Sequence, residues 1–432
     1  MKRESIGIGL LGLGVVGSSV AKALMEREEV LANQIGCPLT LRKILVRNLK
    51  KQRPVAVRPS LLSTEPKEVL THPQVDVIVE LIGGEQAALE YIKEALNRGK
   101  HVVTANKDVI AKHGPELMNL AQEHGVEIRY EASVGGGIPL IAPFQQDLIA
   151  NRVSAIYAIL NGTTNYILTR MAGEGLDFSA SLKAAQELGY AEADPAKDIE
   201  GIDAAYKLAI LAMLAFHVHI DPQDIYRQGI SRLTRRDFRY AQELGYAIKL
   251  LAIARRDDHS VEVRVHPVLI PEDALLAKVQ GVYNAVQVEG DLVGKVIFYG
   301  EGAGASPTSS AVIADIVAVA QRIHLGLRQS PKVQIDEVAV TKPMSEIDTR
   351  YYLRMNIADQ PGVLAQIAKV LGDHLISISS VIQKETDPIA QTAEIVIMTH
   401  PAKERGMQQA LAEMGNLAVV KEINNFIRLE TL

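Results

Sequence analysis

Residues 6–17 read IGIGLLGLGVVG, and this stretch decides the fold of the first third of the chain. Its first half, 6–11, is an apolar run that predicts a buried strand, and the apolar spacing in 18–29 predicts a helix. The GxGxxG motif between them is typical of a dinucleotide site, where glycines allow a tight turn, close approach to a pyrophosphate and helix packing. A purely structural glycine turn is the alternative. The predicted cofactor turn comprises Gly12, Leu13, Gly14, Val15, Val16 and Gly17.

Strands and helices alternate throughout the first 130 residues. This order predicts an α/β fold with a Rossmann-type, doubly wound parallel sheet. Because ligands bind at the carboxyl ends of such strands, we expect Thr104 and Lys107 to face the cofactor crevice, with a surface lysine as the alternative for Lys107. Further strands are predicted at 39–46, 75–81, 101–104 and 127–130, and helices at 86–98 and 115–124.

The segment that follows the second strand is basic. An NAD-type fold usually ends this strand with an acidic residue for the ribose 2′-hydroxyl, but Arg47 stands there. From Val30 to Thr64 there are seven lysines or arginines and no aspartate or glutamate. An arginine pairs with a 2′-phosphate, whereas a carboxylate repels it. The sequence therefore favours NADP(H) over NAD(H), with Arg47 at the phosphate; a solvated basic loop is the alternative.

Length and composition exclude several classes of protein. The chain has 432 residues, which suggests about three domains. Its net charge of -5 argues against a nucleic-acid binder, and no apolar run approaches the length of a membrane span. The single cysteine, Cys37, excludes an internal disulfide or a thiolate cluster. The apolar N-terminal stretch is better explained by the glycine motif than by a signal peptide, so we expect a cytoplasmic protein.

Polar segments begin after residue 130. Glu131 beside the glycines 135–137 could coordinate a hard cation, and a simple hinge is equally consistent with the sequence. The turn 161–165, NGTTN, precedes a helix and offers small donors to a carboxylate, unless it is an ordinary cap. His217 and His219 form an HxH pair without further ligands, which favours a core or capping role over a metal.

The stretch 187–207, ELGYAEADPAKDIEGIDAAYK, is the most informative part of the middle region. Asp203 and Lys207 are four residues apart and so share one face of a helix that continues into the apolar run 208–216. A surface ion pair is the usual outcome of this spacing. Because the helix is expected to be buried and follows an acidic loop, we instead predict a functional Asp–Lys pair.

The end of the chain predicts a separate module. Residues 300–310 form a glycine loop before a helix at 311–323, which we expect to pack back on the nucleotide domain. The remaining order of elements is βαββαβ, the ferredoxin-like unit. The predicted domains are nucleotide-binding, 1–130 with 305–325; α+β substrate and dimerisation, 131–304; linker, 326–349; and C-terminal module, 350–432.

These motifs together resemble homoserine dehydrogenase over essentially the whole chain. The supporting segments are 12–17, 104–107, 131–139, 161–166, 188–207 and 300–308. The tail resembles an ACT domain, a regulatory module that usually binds an amino acid. The resemblance implies reversible reduction of L-aspartate 4-semialdehyde to L-homoserine, on the route to threonine and methionine.

The resemblance also implies roles for individual residues. Lys207 matches the proton donor, with Asp203 beside it, and Lys107 matches a lysine at the substrate and nicotinamide. Cofactor positions match Leu13, Gly14, Lys107 and Gly302. A sodium site matches Glu131 with the carbonyls of Val134, Gly136 and Ile138. Substrate positions match Thr163, Gly189, Tyr190, Glu192 and Asp198.

Two other functions use the same features differently. An aldehyde-oxidising semialdehyde dehydrogenase needs a cysteine nucleophile, and Cys37 lies far along the chain from the inferred site. A non-catalytic amino-acid sensor would not need Asp203 and Lys207. The tail suggests threonine as an effector, and its strand edges suggest a homodimer or homotetramer, although an ACT fold does not establish ligand binding.

Overall fold

The computed structural model describes residues 4–257, 260–327, 335 and 340–432. Its contacts divide the chain into two units, and each is built from segments that are distant in sequence. We call Met1–Val153, Tyr206–Asp224 and Gly290–Ala339 the first unit, and Ser154–Ala205, Ile225–Glu289 and Val340–Leu432 the second unit. Most of the predicted linker, 328–334 and 336–339, lies outside the described residues.

The first unit contains the predicted parallel sheet. Its strand order is β3-β2-β1-β4-β5-β6, with all strands parallel. Strands β2 and β3 are added on one side of β1 and later strands on the other side, and a doubly wound sheet binds its ligand at this switch point between β1 and β4. Every residue of β1 is buried, as expected for a strand covered on both faces. The elements are β1 Ile6–Leu11, α1 Val15–Glu26, α2 Glu28–Ile35, β2 Leu39–Leu45, β3 Leu62–Ser63, α3 Pro66–Leu70, β4 Val77–Glu80, α4 Gln86–Asn97, β5 His101–Thr104, α5 Lys107–Glu123, β6 Ile128–Arg129 and α6 Ile141–Gln145.

Helix α5 begins eight residues before the helix that the sequence predicted at 115–124. Pro115 lies inside it, where a proline cannot donate to the carbonyl of Ala111 four residues earlier. The ring Nε2 of His219 lies 3.1 Å from that carbonyl oxygen, within hydrogen-bond distance. The ring therefore satisfies the carbonyl that the proline leaves unpaired, a role consistent with the predicted capping histidine.

The middle of the chain contributes elements to both units. Helix α10 begins in the second unit and continues into the first. The elements are β7 Val153–Ile159, α7 Gly162–Glu174, α8 Phe178–Glu187, α9 Ala196–Ile199, α10 Ile202–Phe216, β8 Tyr226–Arg227, α11 Arg235–Glu243, β9 Tyr246–Arg256, β10 Val261–Pro271, β11 Tyr283–Gly290, β12 Gly294–Glu301 and α12 Ala305–Leu325.

Helix α12 belongs to the first unit, although it begins about 180 positions after β6, the last strand of the parallel sheet. Val312, Ile316 and Val319 are buried in the same apolar cluster as Ile8 of β1 and Val20 of α1. The helix starts at Ala305, earlier than the predicted residue 311, because its glycine cap is Gly304. The late segment thus completes the nucleotide fold.

The C-terminal module has the predicted βαββαβ order. Its strands lie in the order β17-β13-β15-β14, and its two helices cover one face through an apolar cluster that includes Leu353 and Ile367. The short β16 pairs with β13. The elements are β13 Asp348–Ala358, α13 Val363–Asp373, β14 Ile378–Asp387, β15 Thr392–Thr399, β16 Ala402–Lys403, α14 Glu404–Met414 and β17 Val420–Leu429.

The sheet of the module is continuous with the sheet of the rest of the second unit. Strand β17 pairs in parallel with β10 through Val268 with Arg428 and Leu269 with Leu429. The sheet consequently runs β11-β7-β9-β10-β17-β13-β15-β14. Pairing satisfies the edge groups of β17 that an isolated module would expose. No helix within the described ranges combines the length and apolar character needed to cross a bilayer.

Candidate active site

The glycine turn after β1 has the geometry of a nucleotide site. Gly12 has φ of 99°, and a Cβ added to it would lie 2.7 Å from the carbonyl oxygen of Leu81. A Cβ on Gly17 would lie 2.2 Å from the carbonyl oxygen of Gly12, so helix and turn touch only because both residues lack side chains. A Cβ on Gly14, the N-cap of α1, would meet nothing within 4 Å. The turn therefore leaves open space at the positive end of a helix, which suits a pyrophosphate.

Arg47 is exposed just beyond the carboxyl end of β2, the neighbour of β1. The basic loop after it folds on itself, because the Arg53 guanidinium donates to the carbonyls of Asn48 and Lys51 at 2.5 and 2.8 Å. The backbone N–H of Lys50 donates to Asn48 Oδ1 at 2.8 Å. The arginine that the sequence places at the 2′-phosphate thus stands at the start of an ordered loop.

A buried polar chain lies at the carboxyl ends of β4 and β5. Thr104 Oγ1 donates to Glu80 Oε2 at 2.6 Å, and the backbone N–H of Asn106 donates to Thr104 Oγ1 at 3.0 Å. Burial raises the pKa of the Glu80 carboxyl, and hydrogen bonds from the Thr104 hydroxyl and the N–H of Ile82 partly offset this rise. Asn106 caps α5, whose first residue is the half-buried Lys107. Sequence reasoning missed Glu80, whose only signal was a carboxylate at the end of an apolar strand.

The predicted cation loop is held by the Glu131 side chain. Its carboxylate accepts hydrogen bonds from the backbone N–H groups of Leu140, Ile141 and Ala142 at 2.6, 2.8 and 2.8 Å. Its own N–H donates to Asp315 Oδ2 at 2.8 Å. Burial raises the pKa of Asp315 to about 7. The Glu131 carboxylate is therefore engaged with the start of α6, and a cation here would depend on main-chain oxygens.

Main-chain carbonyl oxygens are the other donors that this loop offers. Gly135 and Gly136 have φ of 71° and 55°, and the turn is closed by the N–H of Ile138 donating to the carbonyl of Gly135, which is not a predicted ligand. A Cβ on Gly136 would lie 2.6 Å from the carbonyl of Gly302, so the two predicted site residues touch. Oxygen donors of this kind suit a hard cation. Among the described residues, no cluster of three or more His, Cys, Asp or Glu is suited to a metal.

Asn161 brings two of the predicted acidic residues together in the second unit. Its Nδ2 donates to Asp198 Oδ1 at 2.7 Å and to Asp203 Oδ2 at 3.0 Å. Its Oδ1 accepts from the N–H of Thr164 at 2.9 Å and so caps α7. One amide thus fixes a helix start and a pair of carboxylates. Sequence reasoning read the 161–165 turn as a possible carboxylate-binding or capping turn but missed Asn161 as the hub.

The first turn of α7 also contacts the loop after α8. Thr163 Oγ1 donates to the carbonyl of Tyr190 at 2.7 Å, and the preceding Gly189 has φ of 77°. The rings of Tyr190 and Tyr166 lie 5.0 Å apart, and Tyr190 remains about half exposed. Glu192 is exposed in the same loop. Thr163, Gly189 and Tyr190 are therefore brought together as predicted, beside an accessible carboxylate.

Asp203 and Lys207 lie one turn apart at the start of α10. The helix is buried from Leu208 to Ala212, but both charged residues are only half-buried, which corrects the expectation of a buried pair. Its first two turns carry polar side chains among small alanines, and so keep access to solvent. Accessibility is what a pair needs if it is to meet a ligand. The predicted positions Gly12–Gly17, Arg47, Thr104, Lys107 and Gly302 lie in the first unit.

Comparison with known proteins places these residues in a family. Family models match at residues 12–131 (homoserine dehydrogenase, NAD binding domain), 139–317 (homoserine dehydrogenase) and 351–419 (ACT domain). The homoserine dehydrogenase of Bacillus subtilis (strain 168) is 41% identical over 427 residues, which is 99% of each chain. That of Neisseria gonorrhoeae is 43% identical over 439 residues, again 99% of each.

Solved structures agree with these sequence matches. The crystal structure of a homoserine dehydrogenase from Thiobacillus denitrificans is 43% identical, covers 100% of each chain and has a TM-score of 0.94. A hyperthermophilic archaeal homoserine dehydrogenase in complex with NADPH is 29% identical, covers 73% of this chain and 97% of its own, and has a TM-score of 0.62.

Proposed function

Because the chain belongs to the homoserine dehydrogenase family, we propose that it catalyses the reversible, NADP(H)-dependent reduction of L-aspartate 4-semialdehyde to L-homoserine. Membership makes it an oxidoreductase with a Rossmann-type nucleotide domain and an ACT domain. The observation that carries the proposal is the Asn161 cluster, in which one amide holds both Asp198 and Asp203. Asp203 lies one helical turn before Lys207 on α10.

Each of the proposed catalytic residues acts on a different part of the reaction. The nicotinamide, when bound, supplies the hydride for the aldehyde carbon. Lys207 gives a proton to the oxygen on which negative charge develops, and an ammonium there also stabilises that charge. Asp203, fixed by Asn161, orients the lysine as a carboxylate one turn away. Lys107, at the start of α5, completes the site at the cofactor.

The residues proposed for the amino-acid end of the substrate belong to the second unit. Glu192 is an exposed carboxylate suited to the substrate ammonium, and Thr163 stands at the N-terminus of α7, where a carboxylate is favoured. Gly189, Tyr190 and Asp198 line the same region. Glu192→Gln is expected to raise the KM for homoserine, and an unchanged KM would remove this assignment.

NADP(H) is preferred because Arg47 occupies the position at which an NAD enzyme carries an acid. The relative solved with NADPH supports this choice of cofactor. Sodium would be held by Glu131 with the main-chain carbonyls of Val134, Gly136 and Ile138, in the loop that packs against Gly302. Removing sodium is expected to loosen this loop and reduce activity.

Regulation is assigned to the C-terminal module. ACT domains usually bind an amino acid, and threonine is an end product of the route on which this reaction lies, so threonine is the proposed effector. The edge strand β14 lies at the end of the sheet and is suited to pairing with another copy, in a homodimer or homotetramer.

The test is the steady-state oxidation of L-homoserine by the wild-type protein, with NADP and NAD measured side by side in the presence of sodium. Formation of NADPH, faster than that of NADH at equal cofactor concentration, is the expected result. Activity that prefers NAD would retain the reaction and remove the role of Arg47. A folded protein that is inactive with both cofactors would act as an amino-acid sensor instead.

A further inference from the structure

Lys249 is a buried lysine that the proposed reaction does not use. It lies on β9, and its side chain is among the buried polar groups of the second unit, with 5% of the residue exposed. Its ammonium donates to the carbonyl of Val279 and to Asn165 Oδ1, the latter at 3.3 Å. Within the part of the chain that the structure describes, the acceptors recorded for this ammonium are neutral oxygens.

A buried ammonium that is not paired with a carboxylate is costly, because it gives up hydration without a full opposite charge. Burial lowers the pKa of Lys249 to about 8. A leucine or methionine would fill the same space without this cost. The lysine therefore contributes a hydrogen-bond donor or a positive charge at this position, which an apolar side chain would not supply.

The contacts of Lys249 clamp one turn of the chain onto α7. The amide of Asn165 donates to the carbonyls of Val279, Gly281 and Tyr283 at 3.3, 3.0 and 3.1 Å. Thr169 Oγ1 accepts the backbone N–H of Gly281 at 3.1 Å. Asn165 is thus shared between the turn 279–283 and the Lys249 ammonium.

The same turn supports the first residues of α7. A Cβ on Gly162 would lie 2.6 Å from the carbonyl oxygen of Val282, so the helix start rests directly on the turn. That helix start carries Asn161, which holds Asp198 and Asp203, and Thr163, which bonds the Tyr190 carbonyl. Lys249 therefore lies behind the elements that line the proposed substrate site.

We propose that Lys249 is a positioning residue for substrate binding, which fixes the first turn of α7 and adds positive charge behind the helix N-terminus that receives the substrate carboxylate. The inference rests on the proposed function, because it assigns that helix end to the carboxylate of homoserine. The charge and the helix dipole have the same sign, so their effects on an anion add. Lys249 itself does not touch the reacting atoms.

Lys100 provides a matched control. It is a second buried lysine, 8% exposed, in the first unit, and its ammonium donates to the carbonyls of His72 and Val75 at 2.9 and 2.6 Å. It precedes β5 and so lies at the amino end of that strand, away from the carboxyl ends where the nucleotide is expected. A lysine that matters only for folding should behave in the same way at both positions.

The test compares Lys249→Met with Lys100→Met in steady-state homoserine oxidation. Loss of a charge-assisted contact behind the site is expected to raise the KM for homoserine about tenfold in Lys249→Met. The KM for NADP should be unchanged in Lys249→Met, and both KM values should be unchanged in Lys100→Met. Lys249→Gln, which keeps a neutral donor and removes the charge, should also raise the KM for homoserine, and an unchanged value would overturn the contribution of the charge.

An active wild type with an unchanged homoserine KM in Lys249→Met would overturn the inference. A rise of the same size in Lys100→Met would overturn it too, because the effect would then be structural. If neither Lys249 variant folds, Thr169→Val, which loosens the same turn, must raise the homoserine KM, and an unchanged value decides against the proposal. An inactive wild type would instead refute the proposed function, so the two failures are distinct.

Discussion

Two asparagines cap helices in the two units, and they use their amide groups differently. Asn106 Oδ1 accepts the N–H of Val109 at 3.2 Å, and Asn161 Oδ1 accepts that of Thr164 at 2.9 Å. In the first unit, the remaining NH2 of Asn106 donates to the backbone carbonyl of Gly84 at 2.6 Å. The Asn106 amide therefore joins the helix start to a backbone carbonyl, and its side chain also forms a hydrogen bond with the buried Glu80 carboxyl, which partly offsets the rise in the pKa of that carboxyl caused by burial.

In the second unit the NH2 of Asn161 donates to two carboxylates, Asp198 and Asp203. The cap is the same, but this helix start also holds two carboxylates that lie 37 and 42 positions later in the chain. The comparison teaches that the same cap serves a glycine-rich turn and one buried carboxyl in the nucleotide half, and a pair of acidic side chains in the substrate half.

Buried charge also holds the C-terminal module within the second unit. Arg354 on β13 donates to Asp237 Oδ1 at 2.8 Å and to Glu394 Oε2 at 2.8 Å, and all three residues are buried. Arg428 on β17, which pairs with Glu404 inside the module, donates to Gln228 Oε1 at 2.9 Å and to the Tyr226 hydroxyl at 3.2 Å outside it. In the first unit, by contrast, α12 is attached through an apolar cluster.

The largest expected effect comes from breaking one of these buried pairs. Asp237→Ala removes one of the two carboxylates that bind the buried Arg354 guanidinium, together with the acceptor of the Asn425 amide, and should lower the free energy of unfolding by about 3–5 kcal/mol. Urea denaturation measures this loss. The control is Arg239→Ala on the same helix, whose partner Glu385 is exposed, and there the loss should be about 0–1 kcal/mol. Equal losses would contradict the view that buried charge holds this half together.

The next effect separates the two asparagines. Asn161→Ala removes two hydrogen bonds to charged groups, and is expected to reduce kcat/KM for homoserine by about 100-fold. Asn106→Ala should act mainly on the KM for NADP, because Asn106 positions the helix that begins with Lys107. Steady-state kinetics with each substrate varied in turn distinguishes them.

Both variants lose a helix cap, so each should lose about 1 kcal/mol of folding stability. Thermal unfolding of the two proteins therefore provides the internal control for the kinetic comparison. If Asn161→Ala altered the two KM values in the same proportion as Asn106→Ala, the distinction between the two halves would be wrong.

A smaller effect tests the cofactor side. Arg47→Ala removes one exposed charge at the 2′-phosphate, and should raise the KM for NADP about tenfold while leaving that for NAD unchanged. Lys50→Ala, in the same loop, is the control for a general loss of positive charge. Equal effects of both variants on NADP would indicate a diffuse basic loop rather than a specific arginine.

The features that the sequence predicted are local ones. The glycine turn at 12–17 and the βαββαβ order of the tail depend on neighbouring residues, and the structure contains both. Asn161 contacts Asp198 and Asp203, which lie 37 and 42 positions after it, and no spacing in the sequence predicts these contacts. The pairing of β17 with β10 was missed for the same reason, because it depends on which sheet edge meets which.

Helix α5 shows a third kind of limit. Proline inside a helix usually interrupts it, and the sequence prediction began the helix at Pro115. The freed carbonyl of Ala111 finds the His219 ring, more than a hundred residues later, and the helix continues through the proline. A tertiary contact here overrides a local rule.

The most direct measurement is the rate of the chemical step in Lys207→Ala, followed in a single turnover with saturating homoserine and NADP. The account predicts that this rate falls by about 1000-fold, the size of a lost general acid–base group, while both ligands still bind. A rate close to that of the wild type would contradict the assignment of the proton to Lys207 and, with it, the central role of the Asn161 cluster that holds Asp203 beside it.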